Sequence, residues 1–210
     1  MKKFELTTEF ITNAFGKKLF RIKALVEFGD VKAGELGGYV EKEGNVSQAD
    51  NAWVYGNARV YGDARVCGNA RVCGNARVYG NAWVSGDARV YGDAWVYGNA
   101  WVYGNAWVYG DAWVYGNAWV SGNARVSGDA RVSGDADYAL VQGFGTEFRC
   151  TTFYRGKNKK IMVNCGCFHG DLEGFRKQVK ETRNGKIAKE YLMIADLMEY
   201  HFTSEDSSNE

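Results

Sequence analysis

The stretch Asn51-Ala52-Trp53-Val54-Tyr55-Gly56-Asn57-Ala58-Arg59-Val60-Tyr61-Gly62 opens a six-residue unit, Gly-Asn/Asp-Ala-Trp/Arg-Val-Tyr/Ser/Cys, that runs without interruption to Ala136. Alanine recurs at every sixth position from Ala52 to Ala136, fifteen hexads, and valine follows two residues later from Val54 to Val132. Residues two apart on a strand share a face, so Ala and Val point inward, while the residue between them and the one after Val point outward. The Gly-Asn/Asp pair marks a corner, because glycine adopts positive φ freely and Asn or Asp tolerates tight turns. A short strand and a corner every six residues describe a hexapeptide solenoid. A helix is excluded: a period of six drifts from 3.6 and would place a glycine in every second turn, at about 1 kcal/mol each.

Ala and Val at this spacing resemble the small and aliphatic positions of the left-handed β-helix hexapeptide family, and that resemblance implies three hexads per triangular coil, hence five coils. With strands about 4.8 Å apart the prism would be only about 24 Å tall. Handedness comes from the resemblance alone, since parallel crossovers are otherwise right-handed; a right-handed solenoid is the alternative.

The ends read differently. Phe20, Ile22, Ala24, Val26 and Phe28 alternate with Arg21, Lys23, Leu25 and Glu27, as a half-buried strand does. This segment is expected to cap the first coil, because a bare terminal coil exposes core and strand edges. After the repeat, Thr151–Tyr154 and Lys160–Asn164 flank a basic turn, as in a hairpin. Asp171 can cap a helix with Leu172, Phe175 and Val179 on one face. A second helix places Ile187, Tyr191, Ile194, Ala195, Met198 and Phe202 on one stripe. The expected organisation is mainly β: residues 1–50 an N-terminal strand cap and lead-in, 51–137 the left-handed parallel β-helix, 138–202 a small α+β module, and 203–210 a polar tail.

Gly29-Asp30-Val31-Lys32-Ala33-Gly34-Glu35-Leu36-Gly37-Gly38-Tyr39, followed by Gly-Asn-Ala-x-Val repeats, resembles YdcK-type bacterial hexapeptide proteins. Thr151-Thr152-Phe153-Tyr154-Arg155, Cys165-Gly166-Cys167-Phe168 and Glu190-Tyr191 resemble a module of phage and prophage proteins with such repeats. Members of this family are sometimes labelled transferases; the resemblance carries no catalytic residue onto any position here.

Chemistry has few places to reside. The 210 residues carry a formal net charge of +1, which gives no field for nucleic acid or membrane surfaces. No apolar run has the length of a signal h-region or a membrane span, so a cytoplasmic protein is expected. There are no prolines. The five cysteines lack Cys-x-x-Cys spacing and suit free thiols in a reducing compartment. Cys165, Cys167 and His169 alternate and would share one strand face, yet no second cluster completes a zinc site, so no metal and no cofactor is implied.

The outward positions carry the information. In columns eighteen apart, the residue between Ala and Val reads Trp53, Arg71, Arg89, Trp107, Arg125; then Arg59, Arg77, Trp95, Trp113, Arg131; then Arg65, Trp83, Trp101, Trp119, Asp137. With the positions after Val, the stretch 91–119 carries Tyr91, Trp95, Tyr97, Trp101, Tyr103, Trp107, Tyr109, Trp113, Tyr115 and Trp119 facing out, an aromatic girdle. Like residues one coil apart would stack as ladders, and intervening arginines would lie on the rings or pair with corner aspartates such as Asp63 and Asp87. Asp93, Asp111 and Asp129 form an acidic corner column. A contiguous aromatic surface of this size calls for a partner.

The expected function is a non-catalytic scaffold or binding protein, a homo-oligomer, with a trimer favoured by the resemblance, that uses the girdle towards itself, a protein or a glycan. Acyl transfer, the activity of many left-handed β-helix enzymes, is the alternative. It needs a histidine base, and the only histidines, His169 and His201, lie outside the repeat. Glycan binding by the flat Trp/Tyr surface is the third reading.

Overall fold

The computed structural model describes residues 2–203; Met1 and the expected polar tail beyond Thr203 lie outside them. The hexads form fourteen two-residue strands, β4 to β17, from Trp53–Val54 to Arg131–Val132. Each as far as β14 pairs in parallel with the strand three further on, so three sheets wrap around one interior in close to five turns. Pairing is in register at eighteen residues: Trp95 faces Trp113 and Val96 faces Val114. Every alanine from Ala52 to Ala130 and every valine from Val54 to Val132 is buried. Fully burying one such valine is worth roughly 1.5–3 kcal/mol.

The corners need glycine for two reasons. From Gly56 to Gly128 their φ angles lie between +58° and +73°, where an L side chain is strained. They also stack on one another: a Cβ on Gly68 would lie 2.9 Å from the Gly86 nitrogen.

At the N-terminal end, β1 (Phe4–Thr12) and β2 (Lys18–Ala24) form an antiparallel hairpin. Strand β3 (Leu36–Val40) pairs antiparallel with β2 and parallel with Arg59–Val60. Ile22 and Ala24 are buried as the alternation predicts, but the strand stops at Ala24, and Val26 and Phe28 lie in the following loop. Val40 and Val46 sit beneath Val60 and Val66, so a first coil precedes the regular repeat. Phe4, Ile22 and Val31 plug it, and the Lys3 ammonium donates to the carbonyls of Asp50 (2.7 Å) and Ala52 (2.8 Å).

Trp53, expected to face outward, is wholly buried. Phe4 and Phe28 pack edge-on against its ring at 5.8 and 5.3 Å, and the missing side chain of Gly37 leaves it room. The cap covers this one indole.

At the other end the fifteenth hexad does not close a coil. Residues Asp135–Asp137 form a 3-10 turn that carries Ala136 out into solvent and takes Asp137 off the third column. Asp137 Oδ2 accepts from the backbone amides of Ser133 and Gly134, which fixes the turn. Asp135 Oδ1 accepts the Trp119 N–H at 2.9 Å, in place of the carbonyl a further coil would supply.

The C-terminal module follows: an antiparallel sheet of β18 (Tyr138–Phe144), β19 (Arg149–Arg155), β20 (Ile161–Cys165) and β21 (Phe168–Asp171), then α1 (Leu172–Thr182) and α2 (Gly185–Thr203). One sheet face lies on the last coil. Tyr154 is buried in the solenoid core with its hydroxyl 3.2 Å from Ser127 Oγ, while Asn164 Nδ2 donates to the Arg125 carbonyl and Thr152 Oγ1 accepts the Arg125 N–H. The other face presents Phe153 and Val163 to Leu172, Phe175 and Val179 of α1 and to Tyr191, Ile194, Ala195, Met198 and Phe202 of α2. Asp171 caps α1, its Oδ1 accepting the Gly174 N–H at 2.9 Å.

Cys165, Cys167 and His169 do not share a face. Gly166, at φ +61°, turns the chain between β20 and β21, so Cys165 pairs with Phe168 and Asn164 with His169. Cys165 packs towards the helices, whereas His169 Nε2 reaches the Tyr154 hydroxyl at 3.1 Å on the coil side.

Candidate functional site

Strand alternation turns the residues flanking each valine outward, and the in-register parallel pairing places each over its equivalent one coil away. The ladders are therefore built. On the second face Trp95 and Trp113 stack at 5.0 Å with 7° between planes, closed below by Arg77 at 4.7 Å and above by Arg131 at 4.3 Å. On the first, Trp107 lies between Arg89 at 5.0 Å and Arg125 at 4.9 Å. On the third, Trp101 stacks on Trp119 at 5.2 Å and meets Trp83 at 5.1 Å, tilted by 58°.

A second set of ladders follows the valines. Tyr61, Tyr79, Tyr97 and Tyr115 form one continuous stack at 4.9, 5.0 and 5.2 Å, and Tyr91 stacks on Tyr109 at 4.9 Å. Tyr79, Tyr97 and Tyr91 turn edge-on to Trp95, Trp113 and Trp107 at 6.2–6.3 Å, which joins the tyrosine and tryptophan columns within two of the three faces. Each aromatic contact adds about 0.5–1.5 kcal/mol beyond area burial, and each exposed cation–π contact about 0.5–1.

Of the ten girdle residues expected from sequence, nine enter ladders or Arg brackets; Tyr103 stands apart, 36% exposed. Trp101 and Trp119 are the other exposed members, at 38% and 48%, and the remaining seven are half-buried. Tyr79 and Tyr61 extend the tyrosine stack two coils below Tyr97, at the same eighteen-residue spacing.

Arginines stack rather than pair with the corner aspartates. Asp63 binds Lys42 at 2.7 Å, and Asp87 accepts from Asn69 at 2.9 Å within a corner amide ladder that starts at Asn51. Asp93, at the start of the acidic column, accepts from Asn75 at 3.1 Å. Among the described residues no three His, Cys, Asp or Glu side chains gather as metal ligands would.

Burial, reinforced by the neighbouring phenols Tyr61 and Tyr97, pushes the Tyr79 hydroxyl up to about 12. Burial also raises Tyr61, Tyr91 and Tyr97. The surface is therefore one of neutral phenol and indole rings studded with guanidinium groups, with no histidine among the coil side chains.

The YdcK Beta solenoid repeat family matches residues 52–68, 70–86, 82–98, 88–104, 94–110, 100–116 and 124–136. No curated protein matches the chain. Among the described residues no helix is long and apolar enough to cross a membrane. The repeat matches and the stacked coils together support a YdcK-type β-solenoid repeat protein.

Proposed function

We propose that the chain is a non-catalytic scaffold: a rigid prism that assembles with copies of itself through the aromatic–arginine girdle, as a trimer. The observation that carries this is the continuity of the ladders over several coils with Trp101, Tyr103 and Trp119 still exposed. Such a surface is rigid before binding, so little side-chain entropy is lost when it is covered. Hidden apolar area returns about 25 cal/mol per Å², and tryptophan, tyrosine and arginine are the residues that dominate interfaces. Cyclic assembly reuses one surface on every copy. The trimer, left-handed coils and a phage-type C-terminal module rest on the family resemblance.

Sugar stacking fits the girdle less well, because a sugar needs an open ring face and these rings turn their faces to the rings or guanidinium groups one coil away. Acyl transfer would have to borrow His169, which is engaged with Tyr154, or His201, which lies edge-on to Phe202 at 4.9 Å.

Light scattering at micromolar concentration is expected to give a mass well above the 23.4 kDa of one chain. Replacing Trp95, Trp101, Trp107, Trp113 and Trp119 by Arg should lower it while circular dichroism still reports folded coils. A wild-type monomer at every accessible concentration sinks the proposal and leaves the ladders a purely internal device.

A further inference from the structure

The three faces of the prism are not equivalent. The exposed aromatics of the coils, Trp101, Tyr103 and Trp119, all lie on the third, on or beside strands β12 (Trp101–Val102) and β15 (Trp119–Val120). The cause is the position after valine. On the other two faces a tyrosine there turns edge-on to the tryptophan of the next coil, whereas the third face has Cys67 below Trp83 and Ser85 below Trp101, side chains too small to wall an indole.

The upper end of the third face is open as well. The columns of the first and second faces finish on Arg125 and Arg131, which lie over Trp107 and Trp113. The third has no closing arginine, because that position falls on Asp137, which the terminal turn carries away. Trp119 stacks on Trp101 below, and among the described residues no ring or cation lies on its other side. Beside it stands an acid: Asp135 accepts the Trp119 backbone N–H through Oδ1, is exposed, and makes no ion pair among the described residues. The first face carries the opposite surplus. Arg89 and Arg125, which bracket Trp107, are exposed, and neither guanidinium has a hydrogen bond or ion pair among the described residues. By contrast, Arg131 on the second face donates to the carbonyls of Asp111 and Ala130 at 3.0 and 2.7 Å, and Arg71, lower on the first, is held by Asp30 at 2.8 Å.

We propose that the third face is the docking surface of the assembly and that its occupant is the first face of a second copy. This rests on the self-assembly reading above and gives it a direction. A closed ring of more than two copies needs two different surfaces on each copy, one meeting the other in turn. Open indoles with a free carboxylate on one face, and two free guanidinium groups on another, are such a pair. In a ring whose axis runs along the prism, levels are kept. Arg125 opens β16 (Arg125–Val126), the strand that follows β15, so it stands about 1.6 Å above Trp119, one third of the spacing between coils. There its fork meets the open side of Trp119 and the Asp135 carboxylate of the next copy.

The test is the mass of the full chain against concentration, measured by sedimentation. Asp135→Asn keeps an Oδ1 for the Trp119 N–H but removes the charge, and Arg125→Gln removes the fork. Each should raise the concentration of half-assembly at least about tenfold, the factor of one charge-assisted contact, while Arg77→Gln on the second face should leave it unchanged. Arg125→Glu should abolish assembly, and adding Asp135→Lys should restore it. Circular dichroism melts report which variants fold, and the Asn and Gln variants decide the matter should a reversed one not. Assembly that is indifferent to Asp135→Asn and Arg125→Gln, weakened as much by Arg77→Gln, or not restored in a folded double reversal overturns the docking pair and leaves self-assembly standing. A wild-type monomer overturns both.

Discussion

Val96 has no exposed surface and sits mid-column between Val78 and Val114. A carboxylate there would be buried without a partner, and Val96→Asp is expected to cost several kcal/mol, on the order of half the stability of a small domain. Arg89→Ser, one strand away on the outer surface, removes a guanidinium 5.0 Å from the Trp107 ring and should cost only about 0.5–1 kcal/mol. Chemical denaturation of the two variants checks the contrast, and equal losses would refute the inward and outward assignment. That assignment was legible because it follows from a period of two on a strand, a local property. The fate of Trp53 was not. It occupies the same place in the hexad as the exposed Trp101, and its burial is decided by Phe4 and Phe28, which reach it from a separate hairpin and loop.

Ladders behave as elements in their own right, and the Tyr61–Tyr79–Tyr97–Tyr115 stack has a pH signature. Burial holds Tyr61, Tyr79 and Tyr97 neutral beyond the ordinary tyrosine range, with Tyr79 at about 12. A folded-state value above the unfolded one, near 10, means that the stabilisation is complete below pH ~10 and is lost as pH climbs towards 12. The thermal midpoint should therefore fall across that window while phenolate absorbance lags behind that of free tyrosine, and Tyr79→Phe should soften the fall. Phenols that all titrate like free tyrosine, with stability unchanged, would contradict the stack. The ladders could be anticipated from the eighteen-residue columns, as could the stripes of α1 and α2, since each has a repeat to read. Strand β1 lacks one: its alternation of Phe4, Leu6 and Phe10 is broken by Thr8, and its pairing with β2 is interrupted by a bulge between Leu6 and Phe10.

At the scale of the molecule, each coil touches only its neighbours and the two caps never meet, so stability is close to a sum over coils. The repeat then predicts which deletions the chain survives. Removing Tyr91–Val96 joins Val90 to Tyr97 and preserves the unit Ala-Trp/Arg-Val-Tyr-Gly; every later Ala and Val stays inward, and the C-terminal module turns by one face relative to the N-terminal cap. Removing Tyr79–Val96 takes out one whole coil and restores even that relation. Both variants should fold cooperatively, with midpoints lowered by a few degrees for the lost coil contacts. Removing only Tyr91–Asp93 instead joins Val90 to Ala94, deletes a corner glycine and shifts the phase of every strand after it, so inward valines would be driven out of the core. This variant should unfold or aggregate. Circular dichroism melts of the three deletions discriminate: a tolerated three-residue deletion, or a six-residue deletion as damaging as it, would mean that the coils depend on the relative setting of their caps and not on the hexad alone.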